Sequence, residues 1–263
     1  MGSTGGYQRV VLWRGDDPEG VEAAYRRGDE RGDVRAAGDL GDLLYHRGDL
    51  EGAEAAYRRG DERGDAMAAY GLGFLLKERG DLAGAEAAYR RADERGHAMA
   101  ANNLGALLHR RGDLAGAEAA YRRGDERGDA MAASNLGALL HQRGDLAGAE
   151  AAYRRGEGRG DTFAASPLGA LLHQRGREAE AEAAYRRAID GGDSRAWLAV
   201  GVLLGKQRGR EAEAEVAYRK VIDGGITGEG LERAAFNLGD LLARRGDVAG
   251  ARAAWPDTGS AGN

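Results

Sequence analysis

The sequence predicts an all-α protein built as a solenoid of stacked antiparallel helical hairpins. Two observations lead to this fold class. One is a period: six aromatic residues are spaced 32 residues apart, and two more follow after 33 and 37 residues. The other is the helical spacing of apolar residues in both halves of each period. The periodic aromatic residues are Tyr25, Tyr57, Tyr89, Tyr121, Tyr153, Tyr185, Tyr218 and Trp255.

Each period reads as two helices of about 13 residues, which would each be roughly 20 Å long. The first helix is predicted over 130–143, where apolar residues such as Met131 and Leu136 recur at helical spacing. The second helix is predicted over 114–127, with Tyr121 in its apolar stripe. Neither helix could bury its stripe alone, so successive units are expected to stack, each contacting mainly its neighbours.

The composition excludes several functional classes. The chain has no cysteine, which removes disulfides, thiolate metal sites and cysteine nucleophiles. Its 38 basic and 43 acidic residues are interspersed, with a net charge of −5 and no basic block for a nucleic acid. No signal peptide and no apolar run long enough to cross a bilayer is visible. We therefore expect a cytoplasmic protein without cofactor, metal, nucleic-acid or membrane partner.

The tripeptide Arg-Gly-Asp occurs thirteen times, which raises the alternative of an adhesion signal. A structural explanation fits better. At 111–113 and 127–129 the arginine would end one helix, the glycine would take a left-handed conformation, and the aspartate would cap the next helix. At 123–125 the glycine stands where Ala92 and Ala188 stand in other units, so this copy is expected inside the second helix. The other Asp and Glu residues are predicted to be caps and solvated helix faces.

Each unit resembles a tetratricopeptide repeat, with features of the related Sel1-like repeats. The resemblance depends on the Leu104-Gly105 pair in the first helix and on Ala117, Tyr121 and Gly124 in the second. It covers residues 18–255 and implies a right-handed solenoid. Small residues at these positions would permit close helix approach, and the aromatic ring would fill the gap between units. The unit is unusually short at 32 residues and lacks the proline that ends the family's second helix, so the pitch of the superhelix does not carry over.

The two ends of the chain depart from the repeat. Residues 1–17 are interpreted as a stunted N-terminal repeat fragment, and residues 256–263 as a flexible tail. The array ends at Trp255 without an obvious polar capping helix, whereas terminal repeats normally need a polar outer face.

The resemblance implies that the first helices line a concave groove, where an Asn before the Leu-Gly pair contacts the backbone of a bound peptide. Asn103, Asn135 and Asn237 stand at this position, although Asn could equally be tolerated on a partly exposed face. Histidines recur one period apart further along the first helices, and Met residues or Phe recur near their starts. The predicted groove residues are Asn102, Asn103, Asn135, Asn237, His109, His141, His173, Met67, Met99, Met131, Phe163 and Tyr70.

Two of these groups have alternative explanations. The histidines could suggest a metal site, but equivalent atoms on stacked helices lie about 8–10 Å apart, too far for one ion to bridge. We therefore predict that they form a polar groove edge. The Met stripe could be core rather than site, because unbranched Met suits both. Pro167 interrupts its first helix, which either starts late, with Ser166 as cap, or kinks.

No catalytic arrangement is visible, so the sequence predicts a non-enzymatic scaffold that binds a peptide or protein segment in the groove. The alternative is a structural protein whose exposed terminal repeats stack end to end into a homo-oligomer. The sequence does not identify the partner.

Overall fold

The computed structural model describes residues 18–225 and 227–255. The predicted N-terminal fragment 1–17 and the predicted tail 256–263 lie outside these residues. Within the described residues the chain forms helices and no strands. It divides into two compact units, Met1–Arg127 and Gly128–Asn263.

The first unit contains the helices α1 (Pro18–Glu30), α2 (Val34–His46), α3 (Leu50–Glu62), α4 (Ala66–Glu78), α5 (Leu82–Glu94), α6 (Ala98–Arg111) and α7 (Leu114–Glu126). The second unit contains α8 (Ala130–Gln142), α9 (Leu146–Gly158), α10 (Ala165–Gln174), α11 (Glu178–Asp190), α12 (Ala196–Leu204), α13 (Glu211–Asp223), α14 (Glu229–Arg244) and α15 (Val248–Ala254). Even-numbered helices are the first helices of hairpins, and the odd-numbered helices from α3 onward are their second helices.

In both units each hairpin packs against the next one along the chain. The predicted all-α repeat solenoid is therefore confirmed, while its right-handed sense stays a prediction. The helices predicted over 130–143 and 114–127 are found at Ala130–Gln142 and Leu114–Glu126.

The Arg-Gly-Asp tripeptides between helices are helix ends and starts, as predicted. Gly48 follows α2 with a φ of 82°, a left-handed conformation that glycine adopts without strain. Asp49 then caps α3 by accepting a hydrogen bond of 2.9 Å from the backbone N–H of Gly52. The tripeptides that begin at Arg27, Arg59 and Arg123 lie inside second helices, also as predicted. There Gly60 must be small, because a Cβ on it would lie 2.5 Å from the Cβ of Ala68 in the next hairpin.

The periodic aromatic ring packs directly against the glycine of each Leu-Gly pair. A Cβ on Gly73 would lie 2.6 Å from the Tyr89 ring, and one on Gly239 would lie 2.2 Å from the Trp255 ring. The sequence predicted that the ring fills a gap between units. Each ring in fact packs first on a glycine in its own hairpin, and Tyr57 in addition approaches Gly71 of the following one.

A second feature was predicted wrongly: several acidic residues are neither caps nor solvated. Asp29, Asp61 and Asp93 are buried in the second helices of the first unit, with 5%, 5% and 2% of their surface exposed. Asp61 binds Arg91 at 2.5 Å and Arg95 at 2.7 Å, and both arginines belong to the next hairpin. Burial alone would raise the pKa of Asp61, but the hydrogen bonds from these two guanidinium groups outweigh it and lower the pKa.

We call this arrangement the Asp–Arg ladder, and it recurs through the first unit. Its rungs are Asp29 with Arg59 and Arg63, Asp61 with Arg91 and Arg95, and Asp93 with Arg123 and Arg127. In the second unit Glu157 binds Arg187 at 2.6 Å in the equivalent place. The arginines of the Arg-Gly-Asp tripeptides therefore also join one hairpin to the next.

Pro167 delays its helix, which is one of the two predicted outcomes. Helix α10 begins at Ala165, three residues later in its repeat than α8, and Pro167 lies in its first turn. A proline there loses no intrahelical hydrogen bond, because the first N–H groups of a helix have no partner within it. The predicted cap is wrong, since Ala164 is the N-cap residue and no side chain caps this helix.

Candidate functional site

The first helices of the first unit present a face that aromatic contacts largely fill. Tyr45 of α2 and Phe74 of α4 pack edge to face with ring centroids 5.8 Å apart, and the Lys77 ammonium lies 5.5 Å from the Phe74 ring centroid. Tyr70 is buried and stacks on the His97 ring at 4.4 Å. These contacts engage Tyr45, Tyr70 and Phe74 within the fold.

The predicted groove residues of this unit divide by burial. Tyr70 and Asn102 are buried, each with 5% of its surface exposed, so neither presents its side chain on an open groove. Met67, Met99 and Asn103 are half-buried, and His109 is exposed.

The side-chain amide of Asn103 forms a hydrogen bond with the neighbouring hairpin. Its Nδ2 donates to the Tyr70 hydroxyl over 3.3 Å. Burial raises the pKa of Tyr89 well above its usual value, and Asn103 opposes that shift, although the Tyr89 hydroxyl makes no hydrogen bond of normal geometry. In the second unit Asn237 likewise opposes the burial that raises the pKa of Tyr218 to about 12. These Asn residues therefore have an internal role whether or not they also contact a peptide.

His97 has an unusual position, because it caps α6 where Asp33, Asp65 and Asp129 cap the equivalent helices. Its Nδ1 accepts from the backbone N–H of Ala100 at 3.2 Å, which requires the unprotonated nitrogen. Burial lowers the pKa of His97 below its usual value of 6.5.

This cap predicts a loss of stability in mild acid. The pKa of His97 is lower in the folded state, so below about pH 6.5 the unfolded chain takes up a proton that the folded chain does not. We expect the free energy of unfolding to fall between pH 7.5 and pH 5.5 by a larger amount in the wild type than in His97→Asn. Asparagine keeps the capping function and does not titrate. Urea unfolding at both pH values measures this, with His46→Asn as a control for an exposed histidine. Equal pH dependence in wild type and His97→Asn would contradict the prediction.

The first helices of the second unit present a different face. Met131 on α8 and Phe163 just before α10 are exposed, with 42% and 70% of their surface accessible. Ala138 in the middle part of α8 and Ala170 in the middle part of α10 are also exposed. Both stand at the repeat position that Phe74 occupies in α4 of the first unit. We call the face formed by Met131, Ala138, Phe163 and Ala170 the α8–α10 face. It combines large apolar groups at one end with short side chains in the middle.

Three of the polar residues predicted for this groove, Asn135, His141 and His173, border the same face, and Asn237 lies on α14. All four are half-buried on their first helices. The His141 Nε2 lies 2.9 Å from the Gln174 Oε1 and so joins α8 to α10. The His173 Nδ1 lies 2.7 Å from Glu178 of the following helix.

The described residues offer no group of His, Asp or Glu side chains that could hold a metal ion. No helix among them has the length and apolar character that crossing a bilayer requires.

Most of the chain matches models of a known repeat family. A family model described as "Tetratricopeptide repeat" matches residues 20–68 and 70–129, and a second with the same description matches residues 130–155, 163–187 and 233–255. Together these ranges cover more than half of the chain. The chain belongs to the tetratricopeptide repeat family. No curated protein sequence matches it. Tetratricopeptide repeats generally act as scaffolds for protein–protein interaction.

Several solved structures share this fold. A protective antigen of uropathogenic Escherichia coli with an SLR fold superposes with a TM-score of 0.65 and 21% identity, covering 92% of this chain and 61% of the antigen. A Sel1 repeat protein from Oxalobacter formigenes gives 0.60 and 22%, covering 82% and 95%. YrrB, a tetratricopeptide repeat protein with an unusual peptide-binding site, gives 0.50 and 21%, covering 67% and 94%. At these identities the likeness shows the fold alone, with the Sel1-like features that the sequence indicated.

Proposed function

We propose that the chain is a non-enzymatic scaffold that binds a segment of another protein on the α8–α10 face. The observation that carries the proposal is the exposure of Met131 on α8 and of Phe163 just before α10, with the exposed Ala138 and Ala170 further along these two helices. Large exposed apolar groups gathered on one surface indicate an interaction site. The first unit uses its aromatic residues internally, so the α8–α10 face is the favoured part of the predicted groove.

The side chains of this face suit a peptide in complementary ways. Met131 has an unbranched side chain that adapts to different apolar partners. Phe163 offers a large apolar area that would lose contact with water on binding. Ala138 and Ala170 leave room for a bound backbone to approach the helices, and Asn135 and His141 provide polar groups at the border. The peptide-binding site named for the similarly folded YrrB supports this proposal.

The test uses a library of random 12-residue peptides displayed on phage and selected on the full chain. We expect enriched peptides to bind Ala138→Trp at least about tenfold more weakly, because the indole would occupy the middle of the face. Phe163→Ser should weaken binding in the same way by removing the apolar anchor.

The matched control is Ala147→Trp, which places the same indole at an exposed alanine on the second helix α9 of the same hairpin. Its binding should equal that of the wild type. Peptides that bind Ala138→Trp and Ala147→Trp equally well would rule out the α8–α10 face.

End-to-end assembly is the second candidate, and one observation favours it. Trp255 has 43% of its surface exposed, whereas its counterparts Tyr57, Tyr89 and Tyr121 have at most 5% exposed. In the repeat pattern, however, Arg252 replaces the glutamate that binds an arginine of the next hairpin, as Glu215 binds Arg245. A stacked copy would find no acidic partner there. Light scattering of the purified chain over a range of concentrations separates the two candidates, since assembly requires a mass that rises above 27.7 kDa.

A further inference from the structure

The Asp–Arg ladder is interrupted at one cleft of the second unit, between the second helices α11 and α13. Ile189 on α11 stands where Asp29, Asp61, Asp93, Asp125 and Glu157 stand in the preceding repeats. The two arginines that would pair with an acid at this position are also replaced. Lys220 on α13 takes the place of one, and Gly224 in the turn after α13 takes the place of the other.

Two further substitutions make this cleft apolar. Trp197 of α12 stands where other first helices have a buried alanine, such as Ala37, Ala69 and Ala165. Val216 of α13 stands where every other second helix has alanine, and 54% of its surface is exposed. Three departures from a strict repeat, all toward larger apolar side chains, therefore meet at one place.

The cleft holds a cavity of about 380 Å³ lined by Ile189, Trp197, Val200, Leu204 and Val216, with three charged residues at its rim. The equivalent clefts of the first unit, at Asp29 and at Asp61, enclose about 470 and 440 Å³, and there the buried aspartates and the arginines of their rungs line the walls beside two leucines. A volume of this size, with apolar walls and few polar groups, is typical of a site for a small group or a large side chain.

An exposed carboxylate lies at the rim of the cavity. Asp190, beside Ile189, is exposed, and its carboxylate makes no hydrogen bond or ion pair with any described residue. It lies in the last turn of α11, where the helix dipole disfavours a negative charge, so a cation brought there would be stabilised. Glu213 and Arg186, also on the rim, already pair with each other at 3.3 Å.

We propose that the α11–α13 cleft is a second docking site, for a protein segment that inserts one large apolar side chain and places a Lys or Arg beside it. The apolar side chain would contact Trp197 and Val216, and the cation would pair with Asp190. This site lies between second helices and is independent of the α8–α10 face, so a partner could engage either surface alone.

The experiment is a selection of random 12-residue peptides displayed on phage, carried out on the full chain with Ala138→Trp to block the α8–α10 face. Enriched peptides are expected to share a Trp, Phe or Leu next to a Lys or Arg. Synthetic copies should bind Val216→Asp at least about tenfold more weakly and Asp190→Lys about threefold to tenfold more weakly. Ala183→Asp, at the same position of α11, is the matched control and should not change binding.

A second variant guards against misfolding as the cause of any loss. Ile189→Asp with Lys220→Arg rebuilds a rung with one arginine, for which Glu157 and Arg187 are the precedent in the same unit. This variant should fold, as judged by circular dichroism, and should lose the peptides because the ion pair places charged groups where the apolar side chain would insert. A selection that enriches no peptide, or peptides that bind the rebuilt rung as well as the starting chain, would overturn the proposal. Binding on the α8–α10 face can fail or succeed separately, because that face is tested without these substitutions.

Discussion

Replacing Gly73 with leucine is expected to lower the free energy of unfolding by about 3 kcal/mol or more. A Cβ at this position would lie 2.6 Å from the Tyr89 ring, well inside the normal carbon–carbon contact distance of about 3.5–4.0 Å. Tyr89 has none of its surface exposed, so its ring has no solvent-filled space to move into. The remaining carbons of leucine would force the two helices of the hairpin apart.

Gly73→Ala gives the graded version of this test. Alanine has the larger helix propensity, which offsets about 1 kcal/mol of the strain, so the net loss should be near 1 kcal/mol. Gly158→Ala is the matched control, because this helical glycine has nothing within 4 Å of the added Cβ. It should raise the stability by up to about 1 kcal/mol. Chemical unfolding of the three variants measures all of these changes, and a Gly73→Ala protein more stable than the wild type would contradict the packing argument.

Replacing Asp61 with alanine is expected to lower the free energy of unfolding by about 2 kcal/mol. Removing one partner of a fully buried ion pair costs about 3–5 kcal/mol. Here the side chains of Arg91 and Arg95 are 41% and 29% exposed, so water still solvates part of both guanidinium groups and the loss is smaller. Glu62→Ala, the exposed neighbour on the same helix, should change stability by no more than about 0.5 kcal/mol.

The same rung predicts a pH dependence. Asp61 has a lower pKa in the folded chain than its usual value of 3.8, so its contribution to stability is fully present above about pH 4. It is lost as the pH falls through the folded pKa. The stability difference between wild type and Asp61→Asn should therefore stay constant from pH 7 to pH 5 and shrink below pH 4. A difference that persists unchanged at pH 2.5 would show that the carboxylate charge is not what matters.

The helices and their ends follow from local patterns, which is why the sequence predicts them well. The left-handed glycine and the capping aspartate act within a few residues of each other, so Gly48 and Asp49 can be interpreted without knowledge of the tertiary fold. The late start of α10 follows from Pro167 for the same reason. The sequence did not indicate that Ala164 would begin this helix uncapped, because nearby Ser166 offered a better capping residue.

The Asp–Arg ladder was missed because its partners are about 30 residues apart in the chain. A signal was nevertheless present: Asp61 comes four residues after Tyr57, so it shares the helical face that the tyrosine buries. The candidate groove was predicted only in part. The sequence indicated Met131 and Phe163, whose exposure the structure shows, but not that Tyr70 would be buried against His97. That contact depends on a substitution in a neighbouring repeat, which one unit considered alone does not reveal.

The ladder also has a consequence for how such a chain can change in length. Each repeat of the first unit carries both an acid that binds the next repeat and the arginines that bind the acid of the preceding repeat. A tandem duplication of one 32-residue segment would therefore arrive with both halves of its ion pairs, and its deletion would rejoin a matched acid and base. Residues 82–113 and 114–145 differ at four of 32 positions, as recently copied segments would. The number of repeats can thus vary in evolution without leaving a buried carboxylate unpaired.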